Sequence, residues 1–212
     1  MSTSSSNTRV RRALGASALL VLTGIAVSSG MALFRPTHAE AAPTGVRREL
    51  PVTEAENILL AAAREGDTEV VRGLLAAGTP SSPRDARGYT PLILAAYHGH
   101  LETVRALISG GADPCAPDTR GNTALMGAAF RGHQAVVDLL IESGCRVDQQ
   151  NLLGQTALMF SALTGRIDVS HALERSGARR EVRDAQGRTA EDWAATQGVE
   201  LPAPHQGEPT GR

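Results

Sequence analysis

Two histidines one residue apart, His98 and His100, and two cysteines, Cys115 and Cys145, are the side chains best placed by type and spacing to do chemistry. A His-x-His pair could hold a transition metal, but such a site needs three or four N, S or O ligands. No Cys, Asp or Glu near His98 and His100 completes that set at ligand spacing. The cysteines lack the Cys-x-x-Cys spacing of a redox pair. The chain has no nucleophile motif, Gly-rich phosphate loop or paired carboxylates at a recognisable spacing. Stretches such as "GNTAL" and "GRTAED" are a turn followed by a helix cap, not a phosphate cradle. These absences predict a chain without catalytic residues, metal, cofactor or small-molecule substrate, and turn attention to the elements that carry the histidines.

Those elements are duplicated. "TPLILAAYHGH" (Thr90 to His100) returns as "TALMGAAFRGH" (Thr123 to His133), displaced by 33 residues. The same frame runs from Asp85 to Pro117, Asp118 to Gln150 and Asn151 to Arg183, and begins again at Asp184 before stopping near Gly198. Asn57 to Gly78 fits it without the opening turn. Within a unit, Asp85-Ala86-Arg87-Gly88 is turn chemistry, and Thr90 is a good N-cap with Pro91 tolerated in the first helical turn. Leu92, Ala95 and Ala96 give a short helix with a small-residue face. Gly99 ends it, and Val104, Leu107 and Ile108 mark the apolar side of a second helix. Each unit has more apolar face than it can bury alone, so units must stack. Arg64, Glu65, Asp67, Glu69 and Arg72 form a polar cap on the first unit, and Trp193 seals the other end.

The pattern Asp-x-x-Gly-x-Thr, then a short Ala-rich helix, a Gly-His-Leu turn and a second apolar helix resembles the ankyrin repeat family across roughly residues 57–198. The resemblance implies an all-α ankyrin-repeat solenoid, built of helix-turn-helix units with β-hairpin turns. The predicted organisation is a leader at 1–41, a linker at 42–51, and a repeat domain at 52–198 with units at 52–84, 85–117, 118–150, 151–183 and a partial cap at 184–198. A disordered tail is expected at 199–212. The family's His after Thr-Pro-Leu is replaced by Ile93, Met126 and Met159, which removes a hydrogen bond worth about 1 kcal/mol per site. His100 and His133 occupy the turn position where the family places a structural His. Neighbouring units stack about 10 Å apart, and Cys115 and Cys145 are not in equivalent slots. A bridge requires Cα atoms within about 7 Å, so both thiols are expected to be free.

The resemblance also implies that a protein partner binds a concave face made of hairpin tips and first helices. Carried onto this chain, the hairpin-tip positions are Arg87, Tyr89, Arg120, Asn122, Leu152, Leu153 and Gln155. The helix-end positions are Tyr97, His98, Phe130, Arg131 and Leu163. Aromatic and Arg side chains are enriched at energetic centres of interfaces, whereas Leu152-Leu153 is an apolar pair where tips are normally polar. Two readings of the stripe Tyr97, Phe130 and Leu163 stand open: contact surface, or packing against the neighbouring hairpin.

The ends and totals place this module. All 21 basic residues are Arg, and they are balanced by 22 acids for a net charge of −1, so no global basic field is available for nucleic acid. The basic start "TRVRR", the uncharged run from Ala13 to Phe34 and the Ala39-Glu40-Ala41 stretch have the plan of a cleaved secretory leader. An uncleaved anchor is the alternative, since about 20 apolar residues can span a bilayer; only then would the chain contact membrane. Cleavage after Ala41 removes four Arg and one Glu, taking the net charge from −1 to −4. The expected location is periplasmic, with an inner-membrane anchored form as the alternative, and the expected state is monomeric. Three roles fit: an exported bacterial protein-binding module, a membrane-anchored envelope scaffold, or a secreted effector. Exported bacterial proteins of similar build are associated with catalase support in oxidative-stress defence, which is an implication of resemblance alone.

Overall fold

A computed structural model describes residues 53–201; the leader and linker predicted at 1–51, residue 52 and the tail beyond 201 lie outside the described residues. Nine helices are present among them: α1 Glu54–Glu65, α2 Thr68–Ala76, α3 Pro91–His98, α4 Leu101–Ser109, α5 Ala124–Arg131, α6 Gln134–Glu142, α7 Ala157–Leu163, α8 Ile167–Arg175 and α9 Ala190–Ala195. The fold is the all-α solenoid that the repeat predicts. The odd-numbered helices α1, α3, α5, α7 and α9 pack on one another as an inner row, and α2, α4, α6 and α8 form the outer row. No described helix is long and apolar enough to cross a membrane.

Local chemistry starts each inner helix in the same way. Thr90, Thr123, Thr156 and Thr189 are extended N-caps whose hydroxyls accept from the backbone N–H three residues on. Where the family's His is missing, the thioether of Met126 accepts from the Thr123 N–H at 3.4 Å, and Ile93 and Met159 are buried. At the turn after α3, Gly99 has φ +80°, and a Cβ there would lie 2.6 Å from the ring of His133. Both backbone conformation and the neighbouring unit therefore require glycine.

Close packing follows from small side chains. Ala63, Ala95, Ala96, Ala128, Ala129 and Ala162 are fully buried between inner helices, while Val71, Val104 and Val137 with Leu107, Leu140 and Leu173 fill the space toward the outer row. In the fourth unit the Ala and Val of this pattern become Ser161 and Ser170, whose buried hydroxyls bond each other at 2.8 Å. The hairpins carry no strand among the described residues. Each is a turn closed by two backbone bonds: the leading N–H donates to the carbonyl four residues on (Asp85 to Tyr89, Asp118 to Asn122, Asn151 to Gln155, Asp184 to Arg188), and the turn glycine's N–H donates back to the leading carbonyl. The side-chain oxygen of the leading residue accepts the N–H groups two and four residues on in all four turns.

The ends differ from the middle. Trp193 is half-buried, donates to Asp184 at 3.0 Å and lies under the Arg188 guanidinium at 4.0 Å, so it closes the last turn. Arg180 pairs with Glu174 on α8 and, at 3.5 Å, with Glu191 on α9, tying the cap to the fourth unit. The tail expectation needs one correction: Val199 and Leu201 pack on the core, and the Val199 N–H bonds the Ala194 carbonyl at 3.1 Å.

The cysteines also overturn their expectation. Cys115 and Cys145 form a disulfide with Cα atoms 5.3 Å apart. Non-equivalent slots come within bonding distance because the exit loop of one unit leans over the next. Cys115 lies three residues past Ala112, the slot that Cys145 fills one unit later. The following pair of loops repeats the contact without sulfur: Asp148 accepts from both the backbone and the guanidinium of Arg179. These contacts span 30 and 31 residues, not 33.

Candidate protein-binding face

The inner row and the hairpin tips enclose a groove of about 750 Å³ that runs from Arg64 in the first unit to Phe160 in the fourth. Its walls include six of the sequence-predicted residues: Arg87, Tyr89, Tyr97, His98, Asn122 and Phe130. The stripe is a stack of rings. Tyr97 and Phe130 lie parallel with centroids 6.5 Å apart, and Phe130 meets Phe160 edge-on at 6.3 Å. Tyr97 remains 37% exposed, so this ring is packed on one side and available on the other.

The backbone beneath the stripe is braced unit by unit. The His100 ring Nε2 bonds the Arg64 carbonyl at 3.0 Å, and His133 Nε2 bonds the Tyr97 carbonyl at 3.2 Å. A carbonyl only accepts, so each Nε2 carries the hydrogen. One unit on, the Thr164 hydroxyl donates to the Phe130 carbonyl at 3.1 Å. His100 is thus a structural brace, and its ring stacks beside His98 at 6.0 Å. Burial lowers the pKa of His98, helped by the positive charges of His100, Arg131 and Arg64. Burial also lowers His133, against the opposing bond to Tyr97 and with help from Arg131.

The remaining predicted residues sit elsewhere. Arg131 is exposed outside the groove wall, with its guanidinium 5.2 Å above the Tyr97 ring. Arg120 is an exposed tip whose carbonyl accepts from the Leu152 N–H. Leu152 and Leu153 are 76% and 53% exposed on the next tip, away from the groove. Gln155 is a correction: it is buried, and its amide oxygen accepts from Asn151 inside the turn, so it holds the hairpin and does not face a partner. Leu163 is half-buried and does not line the groove; Phe160, one turn earlier, takes its place. Arg64, Leu94, Met126, Gly127 and Phe160 also line the groove, although the sequence pattern placed none of them on the binding face. The available signal was the slot Leu94, Gly127 and Phe160, which also recurs every 33 residues.

The groove's carboxylates are turned inward. Asp85 and Asp118 accept their own turn's N–H groups, and Asp118 additionally accepts from the Asn122 amide. Asp85 also faces Arg64 at 3.9 Å. Arg87, Arg131 and the outer side of Arg64 are left to set the potential of the rim.

Against known proteins, the family model for ankyrin repeats (three copies) matches residues 26–118 and again 58–151. No curated protein matches the chain.

Proposed function

The chain belongs to the ankyrin repeat family, whose members generally serve as non-enzymatic protein-interaction modules, and from that premise we propose that it binds a partner protein in the periplasm or cell envelope through the groove along its inner helices. The observation that carries this reading is the ring stack Tyr97, Phe130 and Phe160, part-exposed beneath an Arg-bearing rim. Flat, rigid rings and guanidinium groups supply contact area at low entropic cost, which is why both types concentrate at interface centres.

Two observations support export. The leader plan of residues 1–41 directs the chain out of the cytoplasm, and the Cys115–Cys145 bridge suits an oxidising compartment. Retention of the first 34 residues would make the protein an anchored envelope scaffold instead; a mature N-terminus at Ala42 excludes that form. The test of binding places a photo-crosslinking residue at Phe130 in whole cells, with the same residue at Glu142, exposed on the outer row, as control. One protein captured from Phe130 and not from Glu142 supports the groove as the site. Equal capture from both positions, or none from either, refutes it.

A further inference from the structure

The groove contains a vacancy with a specific address. At the slot Leu94, Gly127 and Phe160, the second and fourth units project a large side chain, and the third projects none. Gly127 lies inside α5, with helical neighbours on both sides and no positive φ to demand glycine. A Cβ built there would have Tyr97 atoms as its three nearest neighbours, at 3.6 to 3.9 Å, which is ordinary van der Waals contact, so packing does not require glycine at this position. Tyr97, Phe130, Phe160, Leu94 and Met126 line the same groove, so the gap is a notch with apolar and aromatic walls. An interface anchor is typically one apolar side chain seated in such a notch, with a polar rim around it.

The rim specifies the sign of what surrounds that anchor. Arg64 and Arg87 line the groove, and Arg131 stands over Tyr97. The two carboxylates in the lining, Asp85 and Asp118, are occupied by turn N–H groups, with Arg64 beside Asp85. Three exposed guanidinium groups, Arg64, Arg87 and Arg131, thus stand against one half-buried and one buried carboxylate, and the side chains that reach solvent at the groove mouth are cationic although the chain's net charge is −1. Complementarity of this kind steers anionic partners and rejects cationic ones.

We propose that the notch at Gly127 receives one Leu- or Phe-sized side chain from an acidic segment of the partner, with neighbouring Asp or Glu side chains met by Arg87, Arg131 and Arg64. This rests on the reading of the groove as the binding face, and it goes further by naming the partner's chemistry.

The experiment uses the purified protein and its Gly127→Leu variant, each presented with a random peptide library displayed on phage. Leu is the residue of the preceding unit at this slot, and removing a mid-helix glycine favours the helix, so the variant should melt no lower than the parent. Expected peptides enriched on the parent carry an apolar residue flanked by Asp or Glu. Their affinity should fall about tenfold or more on Gly127→Leu, or when that apolar residue becomes Ala, and should weaken with salt. Enrichment of basic or uncharged peptides, enrichment of segments matching the chain's own tail, equal binding to both proteins, or no enrichment overturns the proposal. The Phe130 crosslink separates the two levels of failure. If Phe130 captures a partner and Gly127→Leu leaves that capture unchanged, the groove stands and the notch falls; if Phe130 captures nothing specific, both fall.

Discussion

Breaking the Cys115–Cys145 bridge should lower stability by an amount the chain length sets. The bridge closes a loop of 30 residues that contains α5 and α6, the whole helical part of the third unit. In the chain-entropy treatment a loop of that length restricts the unfolded state by about 12 cal/mol/K, or about 3.6 kcal/mol at 25 °C. For a domain of this size each kcal/mol moves the midpoint by about 2–4 °C, so reduction should lower Tm by about 7–14 °C. The clean genetic counterpart is Cys115→Ser with Cys145→Ala, because Ala112 and Ala178 already fill the Cys145 slot in the adjacent units. Calorimetry of the oxidised, reduced and doubly substituted proteins measures the difference, with thiol alkylation and mass spectrometry reporting the bond. Oxidised and reduced proteins that melt within about 1 °C of each other would refute the reasoning, as would full alkylation of both cysteines in protein isolated from an oxidising compartment.

Two further outcomes follow from named contacts. The Ser161 and Ser170 hydroxyls bond each other in the core, and each also reaches a backbone carbonyl, of Leu158 and Arg166 respectively. Ser161→Ala or Ser170→Val alone removes the shared bond and should cost about 1 kcal/mol, while the double variant, which restores the Ala and Val of the preceding units, should lie close to the parent in urea unfolding; fully additive losses would show that the hydroxyls do not act as a pair. His98 and His133 both have folded pKa values below the ordinary 6.5, mainly from burial. As pH falls through 6.5 the unfolded chain takes up protons that the folded chain resists, so Tm should decline over this range until the folded pKa values are passed. The decline should flatten when both residues are replaced by Gln, and a Tm that rises on acidification would contradict the sign.

The period of 33 was legible because turn glycines and capping threonines are set by backbone chemistry, which reads the same in every unit. Gly88, Gly121, Gly154 and Gly187 recur with positive φ, and Thr90, Thr123, Thr156 and Thr189 cap the following helices. Tyr97, Phe130 and the hairpin residues Arg87, Tyr89 and Asn122 could be placed on one face from the same frame. What escaped depends on contacts that run off the period. The disulfide joins an exit loop to the next exit loop at a separation of 30, and comparison of equivalent slots cannot see it. Gln155 looks like a polar tip residue in one dimension, yet its amide belongs to a ladder of side chains through Asn151 to Asn122. Gly127 was overlooked for a different reason: a missing side chain at a recurring slot has significance only once that slot is known to line the groove beside Tyr97 and Phe160.

The third unit gathers the notch, the middle ring of the stack and the covalent clamp, and this coincidence has an energetic logic. Gly127 weakens α5 by roughly 0.5–1 kcal/mol relative to Ala, and the side chain absent from its slot removes contacts that Leu94 and Phe160 make in their own units. In a solenoid, a weak unit is held by its two neighbours alone. The bridge spans that unit from end to end, and its loop-closure contribution of about 3.6 kcal/mol exceeds the helix cost several-fold. The unit that carries the notch is thus held against local opening, which lowers the ordering cost of binding. Reduction should therefore act first on the binding unit: amide hydrogen exchange in α5 and α6 should accelerate more than in α1, α2 or α9. Uniform acceleration along the array would mean that the bridge stabilises the whole stack and has no special relation to the notch.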